Sequence, residues 1–252
     1  MTNISQVFIT DDKQPIPNLL EESINSVKKN LVHSNHHIYF KNELEDLISD
    51  YFPKDVFNAF RKLKPYALKK DLASYCLGYL KGGWFIDVSI KIKLSLDIQK
   101  TNYIDLIAFK DFGQGALNPR SLNYPLQVSL FYTKPKNKIM TKAIDLVLEN
   151  CRNEYYGATS SCPTGPSILG RAQSFYGTNI NQMIGCFLPL TPDFKQKNKS
   201  YVLPNGEIFA LHKDSWFKSA IDGDLKNFGA RGTNNHLLMY SQKDIYDKEI
   251  LI

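Results

Sequence analysis

The run Ala67-Leu68-Lys69-Lys70-Asp71-Leu72-Ala73-Ser74-Tyr75, continued through Gly82-Gly83 into Trp84-Phe85-Ile86-Asp87-Val88-Ser89, decides how this chain is read. Its first part is helical: Pro65 opens a segment that carries Leu68, Leu72, Tyr75, Cys76 and Tyr79. Proline suits a helix start because the N–H it lacks would have no intrahelical partner there. Gly82-Gly83 stops the helix, since glycine takes the left-handed conformation at a helix C-terminus without a Cβ penalty. Trp84–Val88 then reads as a strand apolar enough for the middle of a sheet. A carboxylate late in such a strand is costly unless it has a partner or a task. In open α/β sheets, ligands collect beyond the carboxyl ends of the strands. Asp87 is therefore the leading site candidate on physical grounds, with Trp84 expected in the core.

Outward from this segment, the N-terminal part alternates strands and helices. Val7-Phe8-Ile9-Thr10 reads as a strand and Asp11–Pro15 as a turn. Pro17 opens a helix with Leu20, Ile24 and Val27 on one face. His37–Phe40 is a second strand, followed by a helix bearing Leu44, Leu47 and Ile48; Pro53 starts another, with Val56, Phe57, Phe60 and Leu63. This order predicts a parallel sheet covered by helices. Downstream, strands Asp105–Phe109 and Leu126–Tyr132 flank a turn-rich loop from Gly113 to Tyr124, and Lys138–Asn150 is a helix. Pro204-Asn205-Gly206 marks a β-hairpin, and the Gly- and Asn-rich stretch from Asp222 to Asn235 is expected as a loop or lid. At 252 residues without an internal repeat, residues 1–252 are read as one α/β domain.

Composition narrows the function classes. The 31 basic and 25 acidic residues leave a net charge of +6, which suits an anionic partner such as a nucleotide diphosphate, an anionic glycan or the inner face of a membrane. The excess is too diffuse for nucleic acid: the densest runs, residues 134–138 and 195–199, hold three lysines each. Four widely spaced cysteines without a CxxC pair argue against a zinc site or a disulfide framework and fit a reducing compartment. The start of the sequence lacks a signal-peptide pattern and no apolar run reaches membrane-spanning length. A cytoplasmic protein is expected, with attachment to the inner membrane face left open.

The same segment resembles family 32 glycosyltransferases, typified by yeast-type α-1,6-mannosyltransferases and bacterial capsule enzymes, and distantly the clostridial glucosylating toxins. That family pairs a helix reading Ala-x-x-Ser-Asp-x-x-Arg-Tyr with Gly-Gly-x-Tyr-x-Asp-x-Asp. Asp71, Tyr75, Gly82, Gly83 and Asp87 match without a gap, whereas Ser74 replaces the arginine and Ser89 the second carboxylate of the DxD motif. Thr164-Gly165-Pro166-Ser167 looks like the family's Thr-Gly-Pro loop, and His212 through Ser215-Trp216 like its C-terminal His-x-x-x-Ser-Trp element, one residue shorter. The family's tryptophan after the first strand has no counterpart.

The resemblance implies a GT-A type, Rossmann-like sheet flanked by helices, with a C-terminal β-hairpin and lid loop. It also implies a retaining transfer of a sugar from a UDP- or GDP-linked donor to a glycan or lipid-linked oligosaccharide. By that likeness Asp87 and Asp71 are catalytic. Asp71, Tyr75, Gly83, Asp87, Ser89, Ser215 and Trp216 hold the donor, Gly165 and Pro166 lie on the acceptor side, and Asp87, Ser89 and His212 take Mn²⁺ or Mg²⁺. Ser89 is a poorer ligand than a carboxylate, so Lys91, Lys93, Lys213 or Arg231 are candidate substitutes for the metal. Ser74 and Ser89 also keep a catalytically silent nucleotide-sugar-binding module in view, with a toxin-like enzyme modifying a host protein as a further rival.

Overall fold

The structure is a computed structural model that describes residues 1–11, 14–95, 103–111, 124–177, 180–190, 199–217 and 225–252. The predicted loop from 113 to 123, and 222–224 of the predicted lid, lie outside the described residues.

In chain order the elements are β1 (Thr2–Phe8), α1 (Asn18–Asn30), β2 (Ser34–Phe40), α2 (Lys41–Tyr51), α3 (Lys54–Lys62), α4 (Tyr66–Leu80), β3 (Gly83–Ile86) and β4 (Lys91–Ile92). They continue with β5 (Leu106–Asp111), β6 (Leu130–Thr133), α5 (Lys138–Arg152), α6 (Pro166–Ser174), β7 (Gln182–Pro189), β8 (Lys199–Val202), β9 (Ile208–Leu211), α7 (Lys213–Trp216) and α8 (His236–Ser241). Among the described residues the strands form one nine-stranded sheet in the order β2-β1-β3-β6-β5-β7-β8-β9-β4.

The β-α-β-α opening produces the parallel pairing it predicts: β1 runs parallel to β2 and to β3, with Ile4 opposite Trp84. Beyond β3 the sheet departs from the expectation of a parallel sheet and is mixed. β6 is antiparallel to both β3 and β5, while β5 and β7 are parallel again. The predicted hairpin is present as β8–β9, turned at Gly206. It leads back to β4, so the strand just after Asp87 closes the far edge of the sheet.

Both faces of the central strands are covered, which is why Trp84-Phe85-Ile86 is apolar without alternation. Phe85 belongs to a core cluster with Leu68 and Leu72 of α4 and Ala143 and Val147 of α5, whereas Trp84 and Ile86 belong to a separate one with Val27 and Leu31 at the end of α1. The three prolines act as expected: Pro17, Pro53 and Pro65 are the N-caps of α1, α3 and α4. Leu126–Leu130 differs from its prediction. Leu126 makes only an isolated bridge to Lys110 and the strand begins at Leu130, because the polar side chains between them turn into a hydrogen-bonded network described below. The stretch 225–235, expected as a loop or lid, is held in place: Phe228 and Ala230 are buried, Asn234 accepts from Tyr66 N and donates to Lys64 O, and Gly232 O accepts from Asp11 N.

The helix stop at Gly82-Gly83 is also a packing contact. Both residues have positive φ, +59° and +85°, and a Cβ on Gly83 would lie 2.1 Å from Asn3 O in β1. Gly83→Ala is expected to cost at least about 3 kcal/mol through left-handed strain plus displacement of β1. Gly206→Ala, at φ +87° with nothing within 4 Å of its Cβ, should cost only about 1–2 kcal/mol; urea midpoints of the two variants measure the difference.

Candidate functional site

Helix α4 and strand β3 leave the Gly82-Gly83 corner side by side, which brings the N-terminal half of the helix level with the residues after the strand. Lys70 on α4 lies at this level. Its Nζ is 3.0 Å from Asp71 Oδ1 and 3.2 Å from Asp87 Oδ2. Asp87 Oδ1 accepts from Ser89 N and Ser89 Oγ, both at 3.4 Å, and Asp87 N donates to Ser129 O at 2.8 Å. Burial alone would push the Asp87 carboxyl up. Lys70, the Ser89 backbone N–H and Lys213 outweigh it and hold the carboxyl below its ordinary value. Burial opposes the charge of Lys70 as well, but Asp71 and Asp87 overcome it and raise its pKa. Asp71 is 7% exposed, so it is no solvated helix-surface carboxylate. Its Oδ2 accepts from Thr164 Oγ1 at 2.9 Å.

Two hollows meet at this cluster. A smaller one, about 130 Å³, is bounded by Val7 and Ile9 at the end of β1, Tyr66, Leu225 and Thr233-Asn234. A larger one, about 420 Å³, extends past Asp111, Gln127 and Ser129 to Ser160-Ser161 and Pro166 on one side and Lys199, His212 and His236 on another. Ala67, Lys70, Asp87, Ser89 and Lys213 line both. The junction thus sits beyond the carboxyl ends of the parallel strands β1 and β3, where the topology of an open α/β sheet leaves room for a ligand.

Of the residues expected at a site, Asp71, Asp87, Ser89, Pro166 and His212 line the larger hollow. Tyr75, Gly83, Gly165, Ser215 and Trp216 line neither. Their placements have physical reasons. Tyr75 lies one helical turn beyond Asp71 and is fully buried. Its hydroxyl donates to Thr164 O at 2.7 Å and Gly165 O at 3.3 Å, so it holds the loop whose Thr164 reaches Asp71. Gly83 is at the opposite end of β3 from Asp87. Ser215 Oγ donates to Lys199 O, and Trp216 Nε1 donates to Ser89 O at 3.1 Å. Both act from behind the wall, Trp216 by fixing the backbone at Ser89.

Among the basic candidates only Lys213 lines the hollows; Lys91 pairs with Glu22 and Lys93 is exposed. Arg231 is exposed, and its backbone is joined to Gln14 through an N–H to Oε1 and a carbonyl to Nε2.

Sequence reasoning passed over Lys70, Asp111, Gln127, Ser129, Lys199 and Asp214. Gln127 Nε2 donates to Asp111 Oδ2 at 2.6 Å, and Ser129 Oγ donates to Gln127 Oε1 at 2.9 Å and meets Tyr201 Oη at 2.7 Å. The polar positions 127 and 129 within an otherwise apolar run were the available signal. Asp214, its side chain 8% exposed, lies 3.3 Å from His212 Nδ1 and 3.5 Å from Lys199 Nζ. Burial works against its charge, but His212, Lys199 and Lys213 hold it below its ordinary value.

A divalent cation does not fit this donor set well. Asp87 Oδ2 already faces an ammonium, and Ser89 offers a neutral hydroxyl where a carboxylate would be needed. Among the described residues no group of three His, Cys, Asp or Glu side chains is placed to hold a metal ion.

No family model matches the chain, and no curated protein matches it significantly in sequence. Among solved structures it is similar to one described as PaToxG glycosyltransferase, with a TM-score of 0.46 and 13% identity over 71% of this chain and 69% of that one. It is also similar to the apo structure of the WbbM bifunctional glycosyltransferase, with a TM-score of 0.39 and 13% identity over 96% of this chain and 51% of that one. Superpositions this loose assign neither a family nor an activity.

Replacing Lys70 by Met should destabilise the protein by about 3–5 kcal/mol at neutral pH, because it leaves buried carboxylates without their counterion. The acid side has a definite sign. Asp87 binds its proton less readily folded than unfolded, so its contribution is complete above its ordinary value of 3.8 and is lost as pH falls through the lowered folded value. Without Lys70 that depression goes, and the stability gap between wild type and Lys70→Met should narrow as pH falls below about 4. Urea denaturation across pH measures both effects.

Proposed function

We propose that this chain is a glycosyltransferase of the GT-A kind, moving a sugar from a UDP- or GDP-linked donor to a glycan or lipid-linked oligosaccharide in bacterial capsule, lipopolysaccharide or other surface polysaccharide synthesis. The observation that carries this reading is the meeting of Asp71, Lys70 and Asp87 at the junction of two hollows beyond the ends of β1 and β3. The motif resemblance around Asp71, Gly82-Gly83 and Asp87 supports it independently.

Transfer breaks the bond between the anomeric carbon and the diphosphate oxygen. The electron pair leaves with the diphosphate, and an oxocarbenium-like sugar develops, so a site must neutralise the first and orient the second. Here Lys70, Lys213, Lys199 and His212 provide positive or proton-donating groups along the wall, while Asp71 and Asp87 are acceptors suited to sugar hydroxyls. The larger hollow, about 420 Å³, falls in the ~300–1,000 Å³ range of small-molecule sites. It suits the sugar and the acceptor hydroxyl, with Ser160-Ser161 and Pro166 on the acceptor side. The smaller hollow suits part of the nucleoside. In a retaining, front-face reaction the acceptor oxygen bonds to the anomeric carbon from the side the diphosphate leaves, and its proton passes to the departing phosphate oxygen. That course needs no protein nucleophile. The protein's work is to orient and to balance charge.

The test is release of nucleoside diphosphate from UDP- and GDP-sugars by the full chain, assayed with Mn²⁺ and with chelator. Turnover is expected with one donor class, and Asp87→Asn, checked for an unchanged fold by circular dichroism, should lose at least about 100-fold in rate. Donor binding that raises the melting temperature without release under either condition would instead support the silent binding module.

A further inference from the structure

We propose that the Lys70 ammonium, acting with Lys213, takes the place of the divalent cation at the donor diphosphate, so that this site binds its nucleotide without metal. The inference rests on the glycosyltransferase reading and concerns how the same site balances charge. Three features point to it. Lys70 Nζ lies 3.2 Å from Asp87 Oδ2, so a cation already stands against that carboxylate oxygen. The residue two beyond Asp87, where the resembling motif has its second carboxylate, is Ser89, whose hydroxyl donates to Asp87 Oδ1 and calls for no cation. Lys213 acts electrostatically on Asp87 and, like Lys70, lines both hollows.

The charges agree with this substitution. Two ammonium groups beside Asp71 and Asp87 sum to zero, as does a divalent cation between two carboxylates. An ammonium has three N–H donors. Two of Lys70's are directed to Asp71 and Asp87, which leaves one for a phosphate oxygen at the junction. The carboxylates therefore serve as the holder of a built-in cation. Because that cation is covalently part of α4, its position does not depend on metal concentration or on a hydrated ion's preferred geometry.

The experiment is isothermal titration of the full chain with UDP and with GDP, in EDTA and in Mn²⁺ or Mg²⁺. Wild type should bind one nucleotide in EDTA with an affinity within about threefold of that in metal. Lys70→Met should weaken binding in EDTA by about tenfold or more, the size expected when a charge-assisted hydrogen bond to phosphate is lost. Adding Ser89→Asp to Lys70→Met supplies a second carboxylate where the ammonium has gone, and nucleotide affinity should then rise at least tenfold on addition of Mn²⁺. Lys213→Met, which leaves the Lys70 bridge intact, carries the same comparison if Lys70→Met does not fold; it too should weaken binding in EDTA.

Wild-type binding that appears only with metal overturns the inference and leaves the glycosyltransferase reading standing. Unchanged affinity in a folded Lys70→Met variant also overturns it, since Lys70 would then be a structural tie alone. Absence of binding to either nucleotide under both conditions fails the glycosyltransferase reading itself.

Discussion

The ammonium of Lys70, held between Asp71 and Asp87, is the constraint on which the rest of the site depends. It ties a helix to the end of a strand that the chain has already joined at their other end through Gly82-Gly83. The corner is tight because both glycines have positive φ and Gly83 packs directly on the β1 backbone. With one end closed by backbone packing and the other by a buried ion triad, α4 and β3 cannot slide relative to each other. A triad of this kind is a poor source of net stability, since desolvation offsets much of the attraction. What it supplies is position: two carboxylates and a cation at one depth, at the open end of the parallel strands.

A second layer holds this cluster from behind. Tyr75 fixes the 164–165 backbone, and Thr164 in turn donates to Asp71. Trp216, packed against Phe217 and Phe228, donates to Ser89 O and so fixes the turn that carries the Asp87–Ser89 pair. Ser215 ties the residues after β9 to the start of β8. These residues occupy motif positions, yet their side chains meet protein backbone. The structural account is that orienting groups must themselves be fully hydrogen-bonded, or the carboxylates they place would lose their geometry. On the other wall, Asp214 does comparable work for His212 and Lys199.

The net charge of +6 is spread thinly along the chain, and the cations of the cleft are scattered in sequence as well. The cations that matter at the cleft, Lys70, Lys199 and Lys213, come from separate elements; Lys70 and Lys199 are paired with carboxylates, and Lys213 acts electrostatically on Asp87. The lysine-dense run at residues 134–138 borders a different hollow, with Asp105 and Tyr176, away from this junction.

Local features were legible in the residues alone. The helix starts at Pro17, Pro53 and Pro65, the stop at Gly82-Gly83, the buried strand Trp84–Ile86, the hairpin at residues 204–206 and the special status of Asp87 each follow from a dihedral preference, a missing donor or the cost of a lone carboxylate. The parallel pairing of the first strands followed from their alternation with helices. Strand order past β3 did not, because antiparallel insertion of β6 depends on long-range pairing that apolar runs do not specify. Nor was Lys70 legible: beside Asp71 in sequence it reads as a solvated helix charge, and only the approach of β3's end to α4 gives it a second carboxylate and takes it out of water. Sequence determines which groups carry charge; tertiary packing decides which of them meet, because an ammonium and a carboxylate 17 residues away become partners only when the fold excludes the water between them.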